Sequence, residues 1–123
     1  MSAWLMSEDR LHLVLIDDIA SVGLVVPGEP DPRKHPTKRL ARAREVQLMV
    51  GSRAGVMMCA ATCPGDDALW ARADLMHILS ILKRTASDDE NLYVFAPVSW
   101  PRKRPEQLWQ VSPRMPEPEL IQH

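Results

Sequence analysis

Strand, helix, strand, strand, helix, strand is the order of elements that the sequence predicts, the order of an α+β, ferredoxin-like βαββαβ domain. Three observations lead there. A length of 123 residues, with 46% apolar and 25% charged side chains, fits one globular domain. Two stretches, about 8–22 and 66–84, carry apolar residues at three- and four-residue steps between cap-type residues. Between them, two apolar runs flank Gly51-Ser52-Arg53-Ala54-Gly55, the composition of a hairpin turn. The single domain is expected over 1–112, with a proline-rich C-terminal extension over 113–123.

Ser2 to Met6 is a short apolar run around Trp4 and gives the first strand. Ser7 then offers an oxygen as a helix N-cap, and Glu8 and Asp9 suit the positive end of a helix dipole. Leu11, Val14, Leu15, Ile19 and Val22 follow at helical spacing, and Gly23 suits the position just past a helix end. Because both caps fall where a helix needs them, a helix over about 8–22 is preferred to a strand over Leu11 to Ile16. Residues 24–44 are a long connection, broken by Pro27, Pro30, Pro32 and Pro36, with helix propensity returning from Lys38 to Arg44. Val46, Leu48 and Val50 then alternate with Gln47 and Met49 as in a strand, and Val56 to Thr62 is the second arm of the hairpin. One helix across 38–60 would have to hold Gly51 and Gly55 at about 1 kcal/mol each.

Pro64-Gly65 ends that arm, and Asp66 or Asp67 caps the second helix. Its inner face is Ala68, Ala71, Leu75, Ile78, Leu79 and Leu82, with Lys83 and Arg84 at its negative end. Asp88-Asp89-Glu90-Asn91 is a polar turn, Leu92 to Ala96 a strand of good β formers, and Gln107 to Val111 the last strand-like run. This predicts four strands with two helices on one face. The core is expected to hold Leu11, Leu15, Ile19, Val46, Leu48, Val50, Leu75, Leu79, Leu82, Val94 and Ala96.

A net charge of −1 gives no global bias toward nucleic acid or membrane, but the charge is unevenly spread. Residues 1–31 sum to −5 and residues 32–65 to +6. Most of that excess is Arg33, Lys34, Lys38, Arg39, Arg42 and Arg44, a block that should face solvent or a partner. No apolar run is long enough to span a bilayer, and the N-terminus lacks the pattern of a secretory signal. Two cysteines do not make a disulfide framework, so a cytoplasmic location is expected.

No catalytic set is legible. Cys59 and Cys63 are four apart with His77 following, but the second ligand pair of a structural zinc site is missing, so no metal or cofactor is expected. Asp17-Asp18, on the helix reading, project about 100° apart and cannot clasp one ion together. Ser52 does not sit in a hydrolase elbow, and no phosphate-binding glycine loop occurs. Four of the six aromatics are tryptophan. Trp100 precedes Pro101-Arg102-Lys103-Arg104-Pro105, a stiff basic loop in which Trp100 is the expected exposed anchor.

The opening Met1-Ser2-Ala3-Trp4-Leu5-Met6-Ser7-Glu8 resembles small uncharacterised proteins carried by phages and plasmids of bacteria. That resemblance implies a mobile-element protein, and by analogy of size an inhibitor of host defence such as the anti-CRISPR proteins. The expectation is a non-enzymatic binding protein that occupies a host protein or ribonucleoprotein surface. Its contacts would come from Arg33, Lys34, Lys38, Arg39, Arg42, Arg44, Trp100, Arg102, Lys103 and Arg104. The alternative is a nucleic-acid binder using the basic segment 33–44 on phosphates.

Overall fold

The computed structural model describes residues 2–27, 42–85, 91–101, 103, 105 and 107–115. Among these, the chain runs through β1 (Ser2–Met6), β2 (Leu13–Leu15), a 3-10 turn (Ile16–Asp18) and β3 (Ile19–Val25). It continues through β4 (Val46–Ser52), β5 (Met57–Cys63), α1 (Gly65–Thr85), β6 (Asn91–Phe95) and β7 (Gln110–Ser112). The strands form two sheets, β2-β1-β6-β7 and β3-β4-β5. β1 pairs with β6 in parallel, and the other neighbours are antiparallel. The ferredoxin-like expectation is therefore wrong: the described residues hold two sheets in place of one and a single α-helix in place of two.

The error lies in residues 8–22. Ser7 caps no helix; it closes the β1–β2 hairpin loop. Its amide donates to the His12 carbonyl at 3.0 Å, and its Oγ accepts the His12 amide at 3.1 Å while donating to Asp9 Oδ1. Asp9 Oδ1 also accepts the Leu11 amide at 3.0 Å, and Arg10 turns the chain with φ 61°. Ser and Asp favour helix caps because their short side chains bond nearby amides, and that same capacity serves a loop. Beyond the loop, Val14, Ile16, Ile19, Val22 and Val25 are β-branched and suit strands. Val22, Gly23 and Leu24 are partly buried between exposed Ser21 and Val25, and Val22 and Leu24, two apart, share one face of the strand. The 3-10 turn buries Ile16 and leaves Asp17 and Asp18 in solvent as the chain passes from one sheet to the other.

The central hairpin forms where the sequence places it. Val46 pairs with Cys63 and Gly51 with Met57, with a register shift after Leu48. The turn closes on Ser52, whose carbonyl accepts the Gly55 amide at 3.0 Å and whose Oγ accepts the Val56 amide at 3.1 Å. Gly55 sits at φ +86°, a conformation that favours glycine.

The inner face of α1 packs as expected, with Ala68, Ala71, Leu75, Ile78, Leu79 and Leu82 all buried. They meet Val46, Leu48 and Val50 of β4, and Leu5 and Val94 from the two central strands of the other sheet, in one core. Leu11, expected in that core, is 59% exposed, and Leu15, Ile19 and Ala96 are only partly buried. The largest core side chain is instead Trp109, which is 0% exposed. Its indole N–H donates to the Ala71 carbonyl at 2.9 Å. Asp74 Oδ2 accepts the amides of Leu108 and Trp109 at 3.0 and 3.1 Å, tying the approach to β7 onto α1.

No helix among the described residues is long and apolar enough to cross a membrane. The middle of the proline-rich connection (28–41), most of the polar turn (88–90) and the tail beyond Met115 lie outside the described residues.

Candidate functional site

Glu8, exposed at the tip of the β1–β2 loop, ties one sheet to the other. Its amide donates to the Cys59 carbonyl at 2.9 Å. Its Oε2 accepts the Thr62 hydroxyl at 2.8 Å and lies 3.4 Å from the Cys59 thiol. On the same free edge of β5, the Trp100 indole N–H donates to the Thr62 carbonyl at 2.9 Å. The free edge of β5 is thereby tied to both the β1–β2 loop and the segment after β6. Arg10 lies with its guanidinium 4.7 Å from the centroid of the Phe95 ring, a cation–π arrangement. Its Nη1 is buried and has no hydrogen-bond partner among the described residues.

These contacts leave two openings beside the loop. The larger is a cleft of about 790 Å³ between the β1–β2 and β4–β5 hairpins. Its walls are mostly apolar, with Leu13, Val14, Val50, Met57, Met58 and Cys59 among them. Its lining also includes the carboxylates of Glu8, Asp9 and Asp18, the imidazole of His12 and the guanidinium of Arg53, so carboxylates outnumber guanidinium. The Arg53 amide donates to the Asp18 carbonyl at 2.9 Å and fixes that part of the rim. A smaller opening of about 480 Å³ lies on the other side of the loop, between Arg10, Thr62 and the Phe95-to-Trp100 segment.

The thiols in this region are poor nucleophiles. Burial pushes the Cys59 thiol up, and the neighbouring Glu8 pushes it further in the same direction. Cys63 is pushed up to about 11, first by burial and then by the charge of Asp67. Both cysteines are free. Among the described residues no group of three His, Cys, Asp or Glu side chains is placed to hold a metal ion. Asp9 is held below the usual carboxylate range, first by the Ser7 hydroxyl and then by the Leu11 amide.

Of the residues singled out from sequence, Arg33, Lys34, Lys38, Arg39, Arg102 and Arg104 lie outside the described residues. Arg42, Arg44 and Lys103 are exposed. Trp100 is not the free anchor expected; it is half-buried and spends its N–H on β5. Two backbone neighbours of these residues are anchored near the end of β5. The Ala43 carbonyl, between Arg42 and Arg44, accepts the Gly65 amide at 3.0 Å, three residues beyond the Thr62 that holds Trp100. The cleft itself escaped sequence reading, because its walls come from hairpins about forty residues apart and its signal, Met57-Met58, looks like any buried strand.

Comparison with protein-family models, with curated proteins and with solved structures finds no match for this chain.

Proposed function

We propose that the chain is a non-enzymatic binding protein that holds an apolar segment of a partner protein in the cleft between its two hairpins. The observation that carries this reading is the cleft, large enough for a few side chains and walled by adaptable methionines. A protein segment is favoured over an enclosed small molecule because the apolar surface continues past the mouth. Val56 and Met57 on the lining are 65% and 58% exposed, and Leu11 next to His12 is exposed as well. The excess of carboxylates on the lining favours a segment with a basic residue beside its apolar anchor. A binding role also suits thiols that are held protonated. The proposed partner remains a host protein, and the proposed place of action the cytoplasm, where free thiols persist. Blocking a host defence complex is one use such a cleft would serve.

The test is selection of a displayed peptide library on the immobilised protein. Enrichment of peptides pairing a large apolar residue with Lys or Arg, lost on Met57→Asp, supports the cleft. Peptides that bind Met57→Asp undiminished overturn it. So does a nucleic-acid gel shift that Met57→Asp leaves intact but Arg42→Glu with Arg44→Glu abolishes, which would favour phosphate contact.

A further inference from the structure

Edge strands invite pairing unless they are short, charged, kinked by proline or covered. β2 and β7, the edges of one sheet, have three residues each. β5, an edge of the other, has two carbonyls taken by the Glu8 amide and the Trp100 indole. Among the described residues β3 has none of these protections beyond one register shift near its start, between Ile19 and Ser21. It is seven residues long, reads Ile-Ala-Ser-Val-Gly-Leu-Val without charge or proline, and pairs on one side with β4. Among the described residues no strand pairs with its other side.

We infer that the chain forms a two-fold dimer in which β3 pairs antiparallel with β3 of a second copy, joining two three-stranded sheets into one of six. Such an interface must be self-complementary, the same patch meeting itself across the axis. β3 and the overlying helix meet that condition together. Val22 is the midpoint of β3, and Met76 lies one residue from the midpoint of α1. Both line a groove of about 520 Å³ between the strand and the helix. An axis through that point sets Val22 opposite Val22 and Met76 near Met76, and runs the two α1 helices in opposite directions. The first turn of α1 carries Asp66 and Asp67 and its last turn Lys83 and Arg84. Each acidic end then lies toward the basic end of the partner helix, an attraction that fixes the antiparallel arrangement.

Size brings the helix into the interface. A seven-residue strand edge is only about 23 Å long, too narrow to bury alone the roughly 800 Å² per partner of a stable interface. The flank of α1 above β3 supplies the remainder. Met76 on that flank is 54% exposed, and Leu69, seven residues earlier on the same flank, is exposed too. This surface is separate from the cleft, so failure of either proposal leaves the other standing.

The experiment measures solution mass by multi-angle light scattering across protein concentration. The full chain is expected at about 28 kDa, twice its 13.9 kDa. Met76→Lys and Gly23→Lys should each return it to monomer mass while keeping a cooperative melt. Met76 is solvent-facing, and a side chain at Gly23 meets nothing within 4 Å. Should Gly23→Lys lose its cooperative melt, Val25→Lys on the same strand replaces it. A monomeric wild type, a larger assembly, or a dimer that survives either folded variant overturns the inference.

Discussion

Thr62 donates its hydroxyl to Glu8 at 2.8 Å across fifty-four residues of chain, and that bond joins the hairpin loop of one sheet to the edge strand of the other. Thr62→Val, similar in shape but without the donor, should destabilise by about 1 kcal/mol, less than a buried bond to a charged group because Glu8 is exposed. In urea denaturation, Glu8→Gln and Thr62→Val should show a coupling of at least about 0.5 kcal/mol in a double-mutant cycle. Additive losses would mean that the two side chains act separately.

Trp109→Phe keeps most of the buried ring volume but leaves the Ala71 carbonyl without its indole donor. The expected cost is about 1–3 kcal/mol, rising to about 3–5 kcal/mol for Trp109→Ala. Asp74→Ala orphans the amides of Leu108 and Trp109 and should also cost about 1–3 kcal/mol. Wild-type melting in Asp74→Ala would show that the β7 approach is held by packing alone.

Leu79 and Leu11 separate the two pictures of this chain. Leu79→Ala removes a buried side chain from the helix face and should cost about 2–5 kcal/mol. Leu11→Ala, on an exposed loop, should stay within about 0.5 kcal/mol of wild type. A large loss at Leu11 would restore it to a core that the structure denies it.

Cys63 makes stability sensitive to alkali. Its thiol is raised from 9.0 to about 11 in the folded chain, so the folded state holds its proton longer. The stability this gives is complete below pH 9 and is lost as pH rises toward 11. Urea midpoints across that range should fall more steeply for wild type than for Cys63→Ala, the comparison being each protein with itself at neutral pH. Parallel slopes would assign the alkaline loss to other groups.

The two halves of the chain differ in how much their sequence discloses. β4, β5 and α1 are legible because each carries one dominant period: alternation in Val46-Gln47-Leu48-Met49-Val50, and a heptad-like stripe from Ala68 to Leu82. Residues 8–25 carry both periods at once, and two local signals favour a helix that does not form. Ser7 and Asp9 bond amides in a loop as readily as at a helix start, and Gly23 sits inside a strand. With that segment misread, neither the second sheet nor the cleft between the hairpins could be anticipated. Trp100 stands out in the sequence for its basic neighbours, yet its N–H finds Thr62, a pairing that nothing local encodes. Trp109 shows the same limit, since a fully buried indole needs an acceptor that only α1, thirty-eight residues earlier, provides.

The parallel pairing of Ser2–Leu5 with Asn91–Val94 imposes an order on assembly. As the chain leaves the ribosome, β3, β4 and β5 are complete and adjacent in sequence long before β6 exists. β1 must wait through the synthesis of everything between, with Leu5 and Met6, both destined for burial, still uncovered. Closing so long a loop costs entropy before any contact repays it, so docking of β6 beside β1 is expected to be a late step in folding.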